Sequence, residues 1–227
     1  MAASQPTFRD RARASVEPIA RGLGRLGLSP NALTFIGFVF ALIAAGFAAI
    51  QLWMPAALLV AIGASFDMLD GALARAQNRI SRFGAFFDST LDRAGEATVY
   101  VGIALACVLA LPPFAGGAFL ATSAMGAAFM VSYTRARAES LGYGSGSGLA
   151  YVGFAPREVR VVILVLGLIL TDLAGGIQVG LQMPGSRPAD SLGVPWLILT
   201  LGLITILATI TTIQRIVYVY LQAKKEQ

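Results

Sequence analysis

The sequence predicts an all-α integral membrane protein with six transmembrane helices preceded by an amphipathic N-terminal surface helix. With 56% hydrophobic residues, 13% charged residues and a mean hydropathy of +0.73, its composition is far from that of a soluble domain. A helix needs roughly 20 apolar residues to cross a bilayer. The connections in the middle of the chain are short, so the helices should form one bundle. The predicted spans are Pro30–Leu52, Met54–Ala76, Phe83–Leu111, Phe114–Arg135, Val159–Leu181 and Leu192–Tyr218.

The segment before the first span, residues 1–28, is predicted to be a surface helix. Between Phe8 and Leu26, apolar residues alternate with Arg9, Arg11, Arg13, Arg21 and Arg25. This pattern suits a helix lying on an anionic membrane, although a solvated basic tail is the alternative. No removable signal peptide is recognisable, so the first span should direct insertion. Residues 29–221 are predicted to form the transmembrane domain, and residues 222–227 a cytoplasmic tail.

The basic residues predict the orientation. With the N-terminus inside, only Arg187 falls outside among the residues that flank the spans. By the positive-inside rule, both termini should therefore be cytoplasmic, in a multi-pass protein of the cell membrane. The pI near 9.8 reflects this bias, and no motif for nucleic-acid binding is present. The predicted cytoplasmic set is Arg75, Arg79, Arg82, Arg93, Arg135, Arg137, Arg157, Arg160, Arg215, Lys224 and Lys225.

Cysteine and histidine usage narrows the chemistry. The chain has one cysteine, Cys107, within an apolar run, and no histidine. A disulfide framework and histidine-based catalysis are therefore excluded, and a thiolate zinc site is unsupported. Any acid–base work must fall to carboxylates.

Four carboxylates lie between two strongly apolar segments. Asp67 and Asp70 end the second span, and Asp88 and Asp92 begin the third. At about 100° per residue, the first pair projects roughly 60° apart on its helix, and the second pair shares one helix face. Ionised groups at membrane depth are costly unless they pair, bind a cation or face water. All four acids can converge on one pocket, which predicts an intramembrane site.

Oxygen-only ligation suits hard cations such as Mg²⁺ or Mn²⁺. Two such ions would clamp a diphosphate, which makes phosphoryl transfer the natural chemistry. Gly71, Ala74 and Gly84 keep bulky side chains away from the helix surfaces, so a nucleotide or phosphate could approach the backbone. Arg75 could add a positive charge. Taken singly, each residue could instead cap a helix, pair, or serve close packing.

Together these positions match every fixed residue of a known signature, and the chain resembles the CDP-alcohol phosphotransferase (phosphatidyltransferase) family. The resemblance covers nearly the whole chain. It implies an N-terminal surface helix, six membrane helices and a homodimer. Family members displace CMP from a CDP-linked alcohol, usually CDP-diacylglycerol, with an acceptor hydroxyl. The matching residues are Asp67, Asp70, Gly71, Ala74, Arg75, Gly84, Asp88 and Asp92.

The resemblance also implies roles for single residues. Two Mg²⁺ or Mn²⁺ ions would be ligated by Asp67, Asp70 and Asp88, while Asp92 would contribute to one ion and act as the general base. The nucleotide would be held by Asp70, Gly71, Ala74, Arg75 and Gly84. A similar segment before the first span lines the nucleotide site in the family, which implies binding roles for Asn31 and Thr34. There, Ser29 before Pro30 is also an ordinary helix start.

A second cluster suggests the acceptor. Arginines and an acid at helical spacings lie near the predicted ends of spans four and five. Guanidinium groups bind phosphate through paired hydrogen bonds, so a phosphorylated polyol is favoured over choline or ethanolamine. The run around Arg135 resembles phosphatidylinositol phosphate synthases of prokaryotes, which use inositol 1-phosphate. Glycerol 3-phosphate is an alternative, and the arginines could be mere topology anchors. The candidate acceptor residues are Ser132, Arg135, Arg137, Glu139, Arg157 and Arg160.

The rival function from another class is a cation transporter or channel. All four acids lie near one membrane face instead of lining a path across, and Arg75 and Arg93 beside them would repel a passing cation. No convincing internal repeat supports a transporter. The glycine- and serine-rich stretch from residue 142 to 148 is predicted to be a linker. The last span should serve as scaffold or subunit interface.

Overall fold

Six helices account for most of the described chain, and the described residues contain no strand. The computed structural model describes residues 18–19, 22–25, 27–77, 80–110, 113–143, 152–177 and 193–225. The all-helical prediction is confirmed, and each predicted span overlaps one helix. The helices are α1 (Pro30–Ala49), α2 (Trp53–Ala76), α3 (Arg82–Leu109), α4 (Ala115–Ser140), α5 (Arg157–Leu173) and α6 (Gly193–Ala223).

Four of these helices, α1, α2, α4 and α6, are long and apolar enough to cross a membrane. Of the other two, α3 has 28 residues but carries several charges in its first half, and α5 has 17 residues. The chain is a multi-pass membrane protein, and the count of six spans stays a prediction. Large apolar side chains such as Phe35, Leu58, Val162 and Ile206 are exposed on the helix surfaces, as expected where lipid is the solvent.

The predicted N-terminal surface helix lies largely outside the described residues. Residues 22–25 are helical, and Leu23 packs against a small cluster of buried residues, Leu33, Ala72 and Leu73. This part of the N-terminal segment therefore lies beside the start of α1 and the end of α2. The predicted linker, residues 142–148, also falls mostly outside the description.

The helix starts follow the local sequence. Ser29 caps α1 by accepting a hydrogen bond from the backbone N–H of Ala32 at 3.2 Å, and Pro30 occupies the first turn. Ser81 caps α3 in the same way, accepting from the N–H of Gly84 at 2.9 Å. Both arrangements satisfy a backbone donor that the first helical turn leaves unpaired. The helix-start interpretation of Ser29 and Pro30 is thus confirmed.

Small residues bring α1 close to α2 and α3. A Cβ atom added at Gly37 would lie 3.2 Å from the carbonyl oxygen of Gly63, and one at Gly63 would lie 3.1 Å from that of Gly37. Gly102 of α3 packs directly on the backbone of Ala45. Since membrane helices associate through close packing more than through hydrophobic burial, these glycines position the start of α1 beside the acids.

The bundle has two unlike ends. One apolar core, which includes Trp53, Ile103, Leu168 and Leu201, fills the middle and the end where α2 begins. The other end brings together the last turns of α2 and α4 with the first turns of α3 and α5. We call this the charged end, because the predicted site residues of those four helices lie there.

Candidate active site

Three carboxylates meet at the charged end. One side-chain oxygen each of Asp67, Asp88 and Asp92 lie within 4.8 Å of one another. Asp67 comes from the second half of α2, and the other two lie one turn apart on α3. The helix spacing explains why Asp88 and Asp92 share a face. The structure thus brings three of the four predicted acids together, and we call them the carboxylate triad.

Asp70 is the fourth acid and lies beside the triad in a different environment. It is 5% exposed, and its Oδ2 accepts a hydrogen bond of 2.6 Å from the Thr34 hydroxyl. Asp70 is not one of the three acids grouped within 4.8 Å. Both partners of this bond were predicted to bind nucleotide, and the bond joins the start of α1 to the signature on α2.

The other predicted nucleotide residues are near neighbours. A Cβ atom at Gly84 would lie 3.3 Å from Asn31 Oδ1, so the two residues are adjacent. A Cβ atom at Gly71 would lie 3.4 Å from a guanidinium nitrogen of Arg75, so this arginine folds back over the glycine. Ala74 lies on the same turn, half-buried. A side chain at Gly84 would be crowded by Ser81 Oγ at 3.0 Å and by Asn31, whereas a Cβ atom at Gly71 would make only ordinary contact with Arg75.

Arg157 at the start of α5 reaches into the triad. Its guanidinium donates to Asp67 Oδ2 at 2.5 Å and pairs with Asp92 Oδ1 at 3.0 Å. Its Nε is buried and has no hydrogen-bond partner among the described residues. The sequence placed Arg157 with the acceptor residues but gave no sign that it contacts the acids. One donor of this arginine remains available for a ligand.

Arg160, one turn further along α5, has a different set of partners. It is 1% exposed, forms two hydrogen bonds of 2.8 Å to the two carboxylate oxygens of Glu96, and donates to the carbonyl of Ala155 at 2.9 Å. Nε, Nη1 and Nη2 all donate to protein groups, and the acceptor-binding role of Arg160 stays a prediction. Arg160 is a buried member of an ion pair.

Arg160 and Glu96 belong to a larger polar network whose partners could not be identified from the sequence. Glu96 also lies 3.4 Å from Arg93 Nη1, and Arg93 donates to the Ser132 hydroxyl at 2.8 Å and lies 3.7 Å from Asp92 Oδ2. The signal available was spacing, because Glu96 follows Asp92 by four residues and so shares its helix face. Ser132, one of the predicted acceptor residues, therefore accepts a hydrogen bond from Arg93.

The remaining acceptor candidates lie further out. Arg135 pairs with Glu139 at 2.8 Å, and both side chains are about half exposed. Arg137 is exposed, with no ion pair within the described part of the chain. The structure does not bring these three side chains to the carboxylate triad. Arg215 of α6, not predicted to have a role in the site, is 3% exposed and donates to the backbone carbonyls of Val131 and Val152.

A small cleft, with a cavity volume of about 50 Å³, connects Asp67 and Asp92 of the triad to the two arginines of α5. Its polar lining includes Thr34, Asp67, Asp92 and Glu96, and its deeper wall is apolar, with residues such as Val60 and Leu164. Such a cleft can hold a charged head group at its mouth while apolar material stays in the bundle.

The donor chemistry of the triad fits a divalent cation. All candidate ligands are carboxylate oxygens within reach of one another, as hard cations require. Asp88 Oδ1 is buried and has no hydrogen-bond partner among the described residues. An unpaired buried carboxylate oxygen is costly, and a cation would relieve that cost. The site therefore defines a helical membrane protein with an acidic, metal-binding centre.

Comparisons with known proteins agree with this class. The sequence matches the CDP-alcohol phosphatidyltransferase family over residues 27–213. The chain belongs to this family, and it is a transferase.

Two curated relatives and one solved protein illustrate the likeness. Archaetidylinositol phosphate synthase of Methanothermobacter thermautotrophicus is 35% identical over 219 residues, covering 96% of this chain and 94% of the relative. Phosphatidylinositol phosphate synthase of Cutibacterium acnes is 37% identical over 166 residues, covering 70% and 74%. The crystal structure of Mycobacterium tuberculosis phosphatidylinositol phosphate synthase with CDP-DAG bound has a TM-score of 0.72 at 28% identity, covering 90% of this chain and 93% of that one. The same protein was also solved with manganese and citrate, at a TM-score of 0.71.

Proposed function

We propose that this transferase moves a phosphatidyl group from CDP-diacylglycerol to a hydroxyl of a phosphorylated polyol and releases CMP. Inositol 1-phosphate is the favoured acceptor, and the product would be phosphatidylinositol phosphate. One observation carries the proposal, namely that Arg157 lines the same cleft as Asp67 and Asp92 of the triad and contacts both acids. The acids suit a metal-bound diphosphate, and the guanidinium suits a second phosphate. The names of the relatives support the same acceptor.

Two Mg²⁺ or Mn²⁺ ions would be held by Asp67, Asp70, Asp88 and Asp92. When bound, they supply positive charge to the diphosphate and to the attacking and leaving oxygens. The unpaired oxygen of Asp88 and the grouping of the triad support this ligand set. Asp70 keeps one oxygen free of the Thr34 hydroxyl, so it can serve as a ligand while still bonded to α1.

The cytidine nucleotide would lie at the junction of α1, α2 and α3. The residues proposed to contact it are either small or carry a polar side chain near the triad. The close approach of Asn31 to Gly84, and of Arg75 to Gly71, supports a pocket whose walls are partly backbone. The full set is Asn31, Thr34, Asp70, Gly71, Ala74, Arg75 and Gly84.

The acceptor would approach from the α4 and α5 side. Arg157 is the proposed first contact for its phosphate, with Ser132, Arg135, Arg137 and Glu139 further out. Asp92 would accept the hydroxyl proton as the acceptor oxygen attacks phosphorus. The bond from phosphorus to the CMP oxygen then breaks, and CMP leaves. Direct attack of the acceptor oxygen on phosphorus is part of this proposal, and Cys107 is buried elsewhere in α3.

The finer architecture belongs to the same proposal. All six helices would span the membrane, residues 1–28 would lie on its surface, and residues 222–227 would form the tail. The domain from 29 to 221 would carry catalysis. The charged end and both termini would face the cytoplasm, where the basic residues concentrate. The protein would act as a homodimer, as the family resemblance implies.

The direct test is CMP release by the purified protein from CDP-diacylglycerol in the presence of Mg²⁺ or Mn²⁺. Inositol 1-phosphate, sn-glycerol 3-phosphate, free inositol and serine are offered in parallel. We expect release with inositol 1-phosphate, and none with free inositol because Arg157 then lacks its partner. Release with glycerol 3-phosphate instead would keep the reaction and change the acceptor.

The lipid is tested in the same assay. Since relatives include both an archaetidyl and a phosphatidyl enzyme, a CDP-activated diether lipid is run beside the diacyl substrate. Silence with every acceptor and both lipids, in folded protein that also fails to bind CDP-lipid, would overturn the proposal and favour the cation transporter.

A further inference from the structure

Glu96 is the buried acid of the cleft that the family signature leaves unexplained. It lies one turn beyond Asp92 on α3, and it lines the same cleft as Asp67 and Asp92. Its side chain is 8% exposed. A carboxylate at this depth is costly without a partner. Its partners therefore indicate its role.

Those partners are arginines. Both carboxylate oxygens of Glu96 accept hydrogen bonds of 2.8 Å from Arg160, and Glu96 Oε2 lies 3.4 Å from Arg93 Nη1. Paired, parallel hydrogen bonds between a guanidinium and a carboxylate are the strong form of this interaction. Since Arg160 is 1% exposed, its charge has no solvent to face if Glu96 is removed.

The carboxylate triad also contacts arginines. Arg157, one turn before Arg160 on α5, already contacts Asp67 and Asp92, and Arg93 lies 3.7 Å from Asp92. Arg157 and Arg93 thus contact a group of carboxylates that also suits divalent cations, and Arg160 lines the same cleft as Asp67 and Asp92. A guanidinium and a metal ion compete for the same oxygens.

We propose that Glu96 is a positioning residue that holds Arg160, and partly Arg93, away from the triad, so that no further guanidinium competes with divalent cations for Asp67, Asp88 and Asp92. This inference rests on the proposed function, because it takes the triad as the metal site. Glu96 itself contacts neither substrate nor metal. It acts by neutralising a buried charge that would otherwise turn towards the triad.

The test measures Mn²⁺ binding to purified protein in detergent, without substrates, from the electron paramagnetic resonance signal of free Mn²⁺. Glu96→Gln keeps the shape but removes the charge, and we expect its Mn²⁺ affinity to fall about tenfold or more, as an uncompensated buried charge implies. Arg160→Gln removes the competing cation and should bind Mn²⁺ at least as tightly as the wild type. The double variant should return to within about threefold of the wild type, because both charges are gone.

A purely structural role would give another pattern. Glu96→Gln would then lower the unfolding temperature but leave the Mn²⁺ affinity unchanged, and this result would overturn the inference. A double variant as weak as Glu96→Gln would do the same. If Glu96→Gln does not fold, weaker Mn²⁺ binding by Arg160→Gln than by the wild type would be decisive against it. A wild-type protein that binds no Mn²⁺ would instead refute the metal site of the proposed function.

Discussion

The carboxylate triad and the arginines of α4 and α5 lie at the same end of the bundle, yet their environments differ. Asp67, Asp88 and Asp92 share one environment and approach within 4.8 Å. The arginines divide into three environments. Arg135 is exposed and paired along its own helix, Arg157 contacts the triad, and Arg160 is buried against Glu96.

The difference comes from how each set is held. Two of the three acids are one turn apart on one helix, so local spacing aligns them. The arginines lie on two helices, and each role depends on a partner from elsewhere in the fold. A guanidinium near a site is therefore no guide to function until its acceptor atoms are known.

Among the acids of the carboxylate triad, the largest effect is expected from Asp92→Asn. Loss of the base and of a metal-binding charge should lower the rate of CMP release at least about 10³-fold while CDP-lipid binding is retained. The matched control is Asp172→Asn at the other end of α5, where Asp172 accepts a hydrogen bond of 3.1 Å from the N–H of Met54. Asparagine keeps that acceptor oxygen, so activity should persist. Wild-type rates from Asp92→Asn would refute the assignment of the base.

Among the arginines, the Arg157→Ala and Arg135→Ala variants should differ in their KM for the acceptor. We expect Arg157→Ala to raise the acceptor KM about tenfold or more, because a charge-assisted contact to phosphate is lost, with a much smaller rise for CDP-lipid. Arg135→Ala removes an exposed pair and should change the acceptor KM less than about threefold. Steady-state kinetics with each substrate varied in turn provide the measurement. Equal effects of the two variants would remove the distinction between these arginines.

Removing the hydrogen bond between Thr34 and Asp70 tests whether α1 takes part in nucleotide binding together with the acids of α2. Thr34→Val leaves a buried carboxylate oxygen without its hydrogen-bond donor, which costs about 1–3 kcal/mol of free energy. We expect the KM for CDP-lipid to rise about tenfold, with little change in the acceptor KM. Thr34→Ser keeps the hydroxyl and is the control. A Thr34→Val variant with normal kinetics would indicate that the bond has no part in nucleotide binding.

The smallest effect is expected from the helix contact behind the triad. A Cβ atom at Gly37 would lie 3.2 Å from the Gly63 carbonyl and 3.4 Å from Asp67 Oδ1. Gly37→Ala should therefore move α1 slightly, lowering stability by about 1–3 kcal/mol and activity a few-fold. Gly46→Ala on the same helix has nothing within 4 Å and should be neutral or stabilising. Thermal unfolding in detergent compares them, and an equal loss in both variants would contradict the packing argument.

Much of the fold and of the acidic site could be predicted from the sequence. Each apolar stretch overlaps one helix, and Ser29 caps α1 as expected. Predicted helix ends were less accurate, since α5 ends at Leu173 and not at Leu181. Two glycines with positive φ, Gly175 and Gly176, follow that end. They mark a local turn that apolar composition does not reveal.

The role of Arg160 could not be predicted, because its partner Glu96 is 64 residues away in the chain. The same holds for Arg157, whose partner Asp67 is 90 residues distant. Helical spacing correctly relates residues within a turn or two, but it carries no information on which helices face each other. Arg135 and Glu139, four residues apart, are the predictable case, and they are the pair that stays away from the triad.

Local patterns were sufficient for the membrane-helical class, the order of the helices and the family, since apolar length and the spacing of the acids are properties of single segments. The packing of α1 and α5 on α2, and of α1 on α3, determined the rest. It joined Thr34 to Asp70, placed Arg157 on the triad and buried Arg160 with Glu96. The physical reason is that a charge inside a low-dielectric bundle must find a partner, and which partner it finds depends on how the helices pack.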